Sequence, residues 1–135
     1  MTASSRRQCG DRGAVSLQLV LVVPLLLLIA LLVVQFALVW HARHIAQYAA
    51  ERGLAAARVE DGTAADGRAQ ARRSLAALGD RVLIRPSVIV ERTATRTTVR
   101  VRGPVIRVVP GLTLHAAGTA SGPTERVTTA TGGQP

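Results

Sequence analysis

A chain of 135 residues with one Trp, one Tyr and one Phe has room for a membrane helix and one small domain, whose core must come from Val, Leu, Ile and Ala. The 17 basic residues are all Arg and face 8 acidic ones, for a formal charge of +9; so few aromatics exclude a base-stacking platform, and the Arg surface is read as solvated, with no specific nucleic-acid partner. Cys9 is the only cysteine, which excludes an intrachain disulfide.

Residues 1–13 form a basic leader, with Arg6, Arg7 and Arg12 opposed only by Asp11. Residues 14–40 carry no charge and are saturated with Leu and Val. As a helix this run reaches about 40 Å, more than a bilayer core requires. It is roughly twice the length of a secretory signal's apolar region, and Trp40-His41-Ala42-Arg43-His44 is a poor cleavage site, so the run is expected to stay as a transmembrane helix. Trp40 suits the interfacial aromatic belt, and the leader arginines place the N-terminus in the cytoplasm and the C-terminal domain outside. Pro24 removes one helical hydrogen bond, which membrane helices tolerate. Gln18 and Gln35 are polar groups in hydrocarbon, and both are candidates for helix–helix contact, as is Pro24.

The helical pattern continues over 41–58 as an extra-membrane extension. Ala42, Ala46, Ala49, Ala50, Gly53 and Ala57 recur at three- and four-residue steps, a stripe of small residues that lets another helix approach closely. Ala46, Ala50, Gly53 and Ala57 are the contact candidates on it. Arg43, Gln47, Glu51 and Arg58 fall on another face. Glu60-Asp61-Gly62 breaks the helix. Thr63 and Asp66 are spaced as a capping box for a second helix from Ala64 to Leu78. Its apolar face would be Ala64, Ala71, Leu75 and Leu78, and Gly79 would end it.

After Asp80 the texture turns to strand. Val82–Ile84 and Ser87–Glu91 are β-branched and split by Pro86. Arg92–Arg96 reads as a hairpin turn, and Thr97–Arg102 alternates. Val105–Val109 is a short apolar run before Pro110-Gly111, and Leu112–Ser121 alternates again. Three or four antiparallel strands are expected, one face on helix and one wet. The extracytoplasmic α+β domain would then occupy 59–121, and the Thr/Gly-rich tail 122–135 would be flexible. The fold class is a membrane-anchored α+β chain: a long N-terminal helix, a second short helix and a small antiparallel sheet.

The chain offers little chemistry. His41 and His44 are spaced i, i+3, without the further ligands a metal requires. His115 falls in a strand pattern, on its exposed side. Asp61-Gly62 and Asp66-Gly67 lack the oxygen spacing of a calcium loop. No phosphate-cradling loop or nucleophile–base arrangement is present. The expectation is no enzyme, no catalytic residue, no metal, no cofactor and no small-molecule substrate.

The stretch Arg12-Gly13-Ala14-Val15-Ser16-Leu17-Gln18-Leu19-Val20-Leu21-Val22-Val23-Pro24 and its Leu run resemble the start of TadE-like proteins, pilin-like components of the Tad (Flp, type IVc) pilus machinery. Ala49–Arg58 is similar to the Ala/Arg/Gly helix of that family. The resemblance implies a pilin-like fold, cleavage by a prepilin peptidase between Gly13 and Ala14, and assembly with other pilin-like subunits and the Tad machinery. Gln18, fifth residue after that junction, stands where the family carries Glu, which favours a minor pilin or pseudopilin over the abundant fibre subunit. Two other readings are a signal-anchored envelope scaffold and a DNA-uptake pseudopilin that uses Arg100, Arg102 and Arg107.

Overall fold

A computed structural model describes the backbone of residues 11–125 and the side chains of residues 18–125. Cys9, the rest of the expected leader up to Gly10, and residues 126–135 of the expected tail lie outside the described residues. Two helices precede three strands: α1 Asp11–Arg58, α2 Ala64–Leu78, β1 Ser87–Arg92, β2 Arg96–Pro104 and β3 His115–Pro123. This is the α+β order expected from the sequence.

Helix α1 has 48 residues and stays helical through Pro24, a length of about 72 Å. Its two halves differ in environment. Before Gln35 no side chain described is buried, whereas Gln35, Val39, Ala42, Ile45, Ala46, Ala49, Ala50 and Ala57 are. The C-terminal half is therefore the floor of the domain. The end of α1 leaves carbonyls without helical partners, and Arg92 supplies them: its Nε donates to the Ala57 carbonyl at 2.9 Å, and its Nη2 to those of Val59 and Glu60 at 3.2 and 3.4 Å.

Helix α2 starts on the expected capping box. The Asp66 N–H donates to Thr63 Oγ1 at 3.1 Å, and the Thr63 N–H donates to Asp66 Oδ2 at 3.0 Å. The Thr63 side chain and backbone hold the Asp66 carboxyl below the usual carboxylate range. At the other end the Gly79 N–H donates to the Leu75 carbonyl at 2.6 Å. One expected core residue is misplaced. Leu78 is 54% exposed, while Gly67 and Ser74 are buried with Ala71 and Leu75. The reason is close packing: Gly67 lies against Gly53 and Ala57, and Gly79 against Ile45. Helix α2 thus runs antiparallel to α1, near enough that small residues, not Leu78, fill the seam.

The sheet has order β1-β2-β3, antiparallel throughout. Val88, Val90, Val99, Val101, Ala116 and Ala120 face the helices, and Ile89, Arg100, Arg102 and Thr119 face outward. The β1–β2 turn is Thr93–Thr95, closed by the Thr93 N–H to the Arg96 carbonyl at 2.8 Å. Strand β3 lies directly on α1. A Cβ at Gly118 would fall within the α1 backbone at Ala46–Gln47. Because Gly118 meets residues 46–47 and Gly122 meets Leu54 and Arg58, β3 runs in the same direction as α1.

Three strand expectations are corrected. Val105–Val109 is not a strand; only Val105 pairs, in an isolated bridge with Leu83. Val82–Ile84 is likewise reduced to that bridge. Strand β3 begins at His115 rather than Leu112, and it continues to Pro123, two residues past the expected domain end at 121. The Thr124 N–H donates to the Thr95 carbonyl at 3.2 Å and the Glu125 N–H to the Arg58 carbonyl at 2.9 Å, so residues 122–125 belong to the packed domain.

Candidate membrane and helix-contact site

The apolar half of α1 is bare. Its most apolar 18-residue window has a mean hydropathy of 3.1, and only 6% of that window is buried. A core helix of a water-soluble domain would bury such a surface. Leu19, Val20, Leu21, Leu25, Leu26 and Leu27 are all more than half exposed. One apolar helix near the N-terminus fits a single-pass membrane anchor. From Ala14 to Val34 the helix spans 21 residues, about 31 Å, which matches a hydrocarbon core of about 30 Å. The run of 14–40 therefore has six residues to spare beyond Val34, and they carry the first contacts of the domain.

Gln35 makes the first of those contacts. It is fully buried, and its amide is spent on the chain's own loop between β2 and β3. Nε2 donates to the Ile106 carbonyl at 3.2 Å; Oε1 accepts from the Val108 N–H at 2.7 Å and the Val109 N–H at 3.3 Å. Gln35, a helix-contact candidate by its sequence position, has its amide bonded in this structure by the chain's own loop. An amide in an apolar run does need partners, but here they are backbone groups more than 70 residues away. Gln47 does similar work one domain layer further along: its Oε1 accepts from the Thr119 N–H at 3.1 Å, while its Nε2 donates to Glu51 at 2.9 Å. Sequence reasoning placed Gln47 on a polar face and missed that role.

The small-residue stripe is also used within the chain. Ala42, Ala46, Ala49, Ala50, Gly53 and Ala57 are all buried. Gly53 and Ala57 meet Gly67 and Ala71 of α2, and Ala46 meets Gly118 of β3. The stripe does receive a helix, as its spacing indicated, but it is the chain's own α2, and at Ala46 it receives a strand. Ala46, Ala50, Gly53 and Ala57 are thus closed to a neighbouring subunit's helix in this conformation.

Four candidates remain on the N-terminal half. Gly13 and Ala14 lie within α1, two and three residues after its first residue, with side chains outside the described set. Gln18 is exposed, and so is Pro24. The structure therefore separates the described candidates into an exposed pair, Gln18 and Pro24, and a buried group from Gln35 onward.

The remaining polar groups do not converge. His41 and His44 are exposed on α1, with His44 edge-on to Trp40 at 5.4 Å between ring centres, and His115 is exposed on β3. Among the described residues, no group of three His, Cys, Asp or Glu side chains is placed to hold a metal ion. Arg100 and Arg102 share the outer face of β2, while Arg107 lies beyond the strand on the loop held by Gln35. A shallow concavity of about 730 Å³ lies at the far end of the domain beside Glu60, Thr63 and Arg92, where Arg92 is already committed to the α1 carbonyls.

Residues 13–54 match the family model described as TadE-like protein, which covers the bare half of α1, Gln35 and most of the small-residue stripe. No curated protein and no solved structure matches the chain.

Proposed function

We propose that this chain, TadE-like over residues 13–54, is a membrane-anchored minor pilin or pseudopilin that helps initiate or assemble a Tad/Flp-type pilus. The observation that carries the reading is the division of α1. Its apolar half is exposed from Gln18 to Ala30 and again at Val33 and Val34, while every later contact candidate is buried within the chain. A segment of that kind has two uses, to sit in a bilayer and to pack beside other apolar helices. A pilin-like subunit needs both. The N-terminus is assigned to the cytoplasm and the α+β domain to the outside. The role is structural, without catalytic residues or cofactor, and its partners are the membrane, other pilin-like subunits, the Tad machinery and a prepilin peptidase.

Gln18 shapes this assignment. An amide at that position offers hydrogen bonds to a neighbouring N-terminal amine but no charge, which favours an accessory position over a bulk fibre subunit. The test is N-terminal sequencing of the mature protein from its native envelope. A start at Ala14, lost in cells without the prepilin peptidase, supports the reading. A mature protein that begins at Met1 or Thr2 points instead to a signal-anchored scaffold with an intact leader. Salt-sensitive binding of DNA by the soluble domain would favour the DNA-uptake alternative.

A further inference from the structure

The loop between β2 and β3 has a composition unlike the rest of the domain surface. From Val108 to Leu114 it reads Val-Val-Pro-Gly-Leu-Thr-Leu, without a charge. Its tip is a tight turn. The Leu112 N–H reaches the Val109 carbonyl at 3.3 Å, and Gly111 takes φ 81°, the left-handed value that the third residue of a Pro-Gly type II turn needs. Among the described residues, nothing beyond its chain neighbours lies within 4 Å of the Gly111 Cβ position. Pro110 is exposed and Ile106 is 41% exposed. An uncharged tip aimed into open space, on a domain otherwise covered with arginines, calls for a partner that is apolar.

The height of the loop identifies that partner. Three hydrogen bonds to Gln35 fix residues 106–109 at one level of α1. Gln35 is five residues before Trp40, about 7.5 Å along the axis. If α1 spans the bilayer from Ala14, Gln35 comes just after the 31 Å that fills the hydrocarbon core. Phe36 and Trp40, 62% and 67% exposed, follow within the next turn and a half of the helix. The tip thus arrives at the boundary between acyl chains and headgroups, a depth of about 5–10 Å typical of interfacial segments. Exposed Arg107, flanking the tip, suits contact with lipid phosphates.

We propose that the Ile106–Leu112 loop is a second membrane contact, a foot that inserts into the outer-leaflet interface beside α1 and fixes the tilt of the domain on the bilayer. The inference rests on the reading of α1 as a membrane anchor. Its partner is lipid and not a second copy of the chain, because the loop is held on the spanning helix at lipid depth.

The test uses the full chain with Cys9→Ser, reconstituted in vesicles of phosphatidylcholine and phosphatidylglycerol. An environment-sensitive fluorophore is attached at Ile106→Cys or Pro110→Cys, two independent sites so that one poorly folded variant does not decide the result. Leu27→Cys reports the anchor. Thr95→Cys reports the far end of the domain, where Thr95 meets Thr124, about 35 Å along α1 from Gln35. A lipid nitroxide placed near the headgroup is expected to quench both loop probes and not the Thr95 probe, with the Leu27 probe blue-shifted. Loop probes that stay in water while the Leu27 probe is in lipid would overturn the foot and leave the anchor standing. Blue-shifted loop probes that the lipid nitroxide fails to quench would overturn it in favour of contact with a second copy. A Leu27 probe in water would remove the anchor and the foot together.

Discussion

Single side chains decide how the loop and the helix end are held. Gln35 satisfies two backbone N–H groups and one carbonyl with one amide, and among the described residues no buried side-chain polar atom is left without a partner. Leucine at 35 removes all three bonds and leaves the loop groups unpaired against an apolar helix. The expected cost is about 2–3 kcal/mol, seen as faster amide exchange at Val108 and Val109 with the sheet amides still protected. Glutamate at 35 is more informative. As a carboxylate it keeps both N–H bonds but confronts the Ile106 carbonyl without a donor; as an acid it regains the donor. Gln35→Glu should therefore protect the loop at low pH and release it as pH rises through the pKa of the new carboxyl. Loop protection, taken relative to the intrinsic exchange rate at each pH, that is indifferent to pH in this variant would contradict the assigned hydrogen bonds. Arg92 acts at the other end of the domain. Arg92→Ala should fray the last turn of α1 at a cost of about 1 kcal/mol. Arg92→Lys should recover only part of it, because a single ammonium cannot bridge three carbonyls as the guanidinium fork does. Equal stability of the Lys variant and the parent protein would argue against the fork.

Elements with local chemistry at their ends were legible in the sequence. Helix α2 begins at Thr63–Asp66 and ends at Gly79 because caps are formed by residues three or four apart. The Asp66 carboxyl is depressed by that cap, so its contribution is complete above about pH 4, the unfolded range, and is lost as pH falls through the folded value. Thr63→Ala should weaken this acid-side dependence, because it removes the hydroxyl and keeps the backbone donor; thermal midpoint against pH measures it, and an unchanged profile would mean the Thr63 hydroxyl has no part in it. Elements defined by distant partners were not legible. Val105–Val109 has the composition of a strand, but its backbone bonds to a side chain of α1, a pairing that no local pattern announces. Periodicity showed which face of α1 is buried and could not say whether α2, β3 or another molecule buries it. Gly118 did carry a signal, since glycine inside a strand often marks a close backbone approach. Its role is sterically testable. Gly118→Val should push β3 off Ala46–Gln47 and cost about 3 kcal/mol or more. A folded Gly118→Val protein of parental stability would mean β3 sits further from α1.

The whole molecule divides along α1 into a part that folds and a part that anchors. Among the described residues, every buried core residue lies at or after Gln35: the α1 floor, the α2 seam and the inner faces of the three strands. The bare half adds length and apolar surface but no contact to that core. Two variants follow from this division and test it from opposite sides. A chain reduced to residues 31–135 keeps all the packing described and should unfold at the same temperature as the full chain in detergent, with the same sheet amides protected. A full-length Leu27→Arg protein also keeps the packing, but it places a guanidinium near the middle of the span, at a cost of about 2.5–3.5 kcal/mol for insertion. Its domain should unfold at the parental temperature while its membrane-inserted fraction falls, read by alkaline extraction of membranes. The two readouts must separate. If shortening the helix lowers the unfolding temperature, the N-terminal half supports the domain and the division fails. If Leu27→Arg leaves insertion intact, the segment Gln18–Val34 is not the span, and the helix surface left bare by the domain has to be buried by protein instead of lipid.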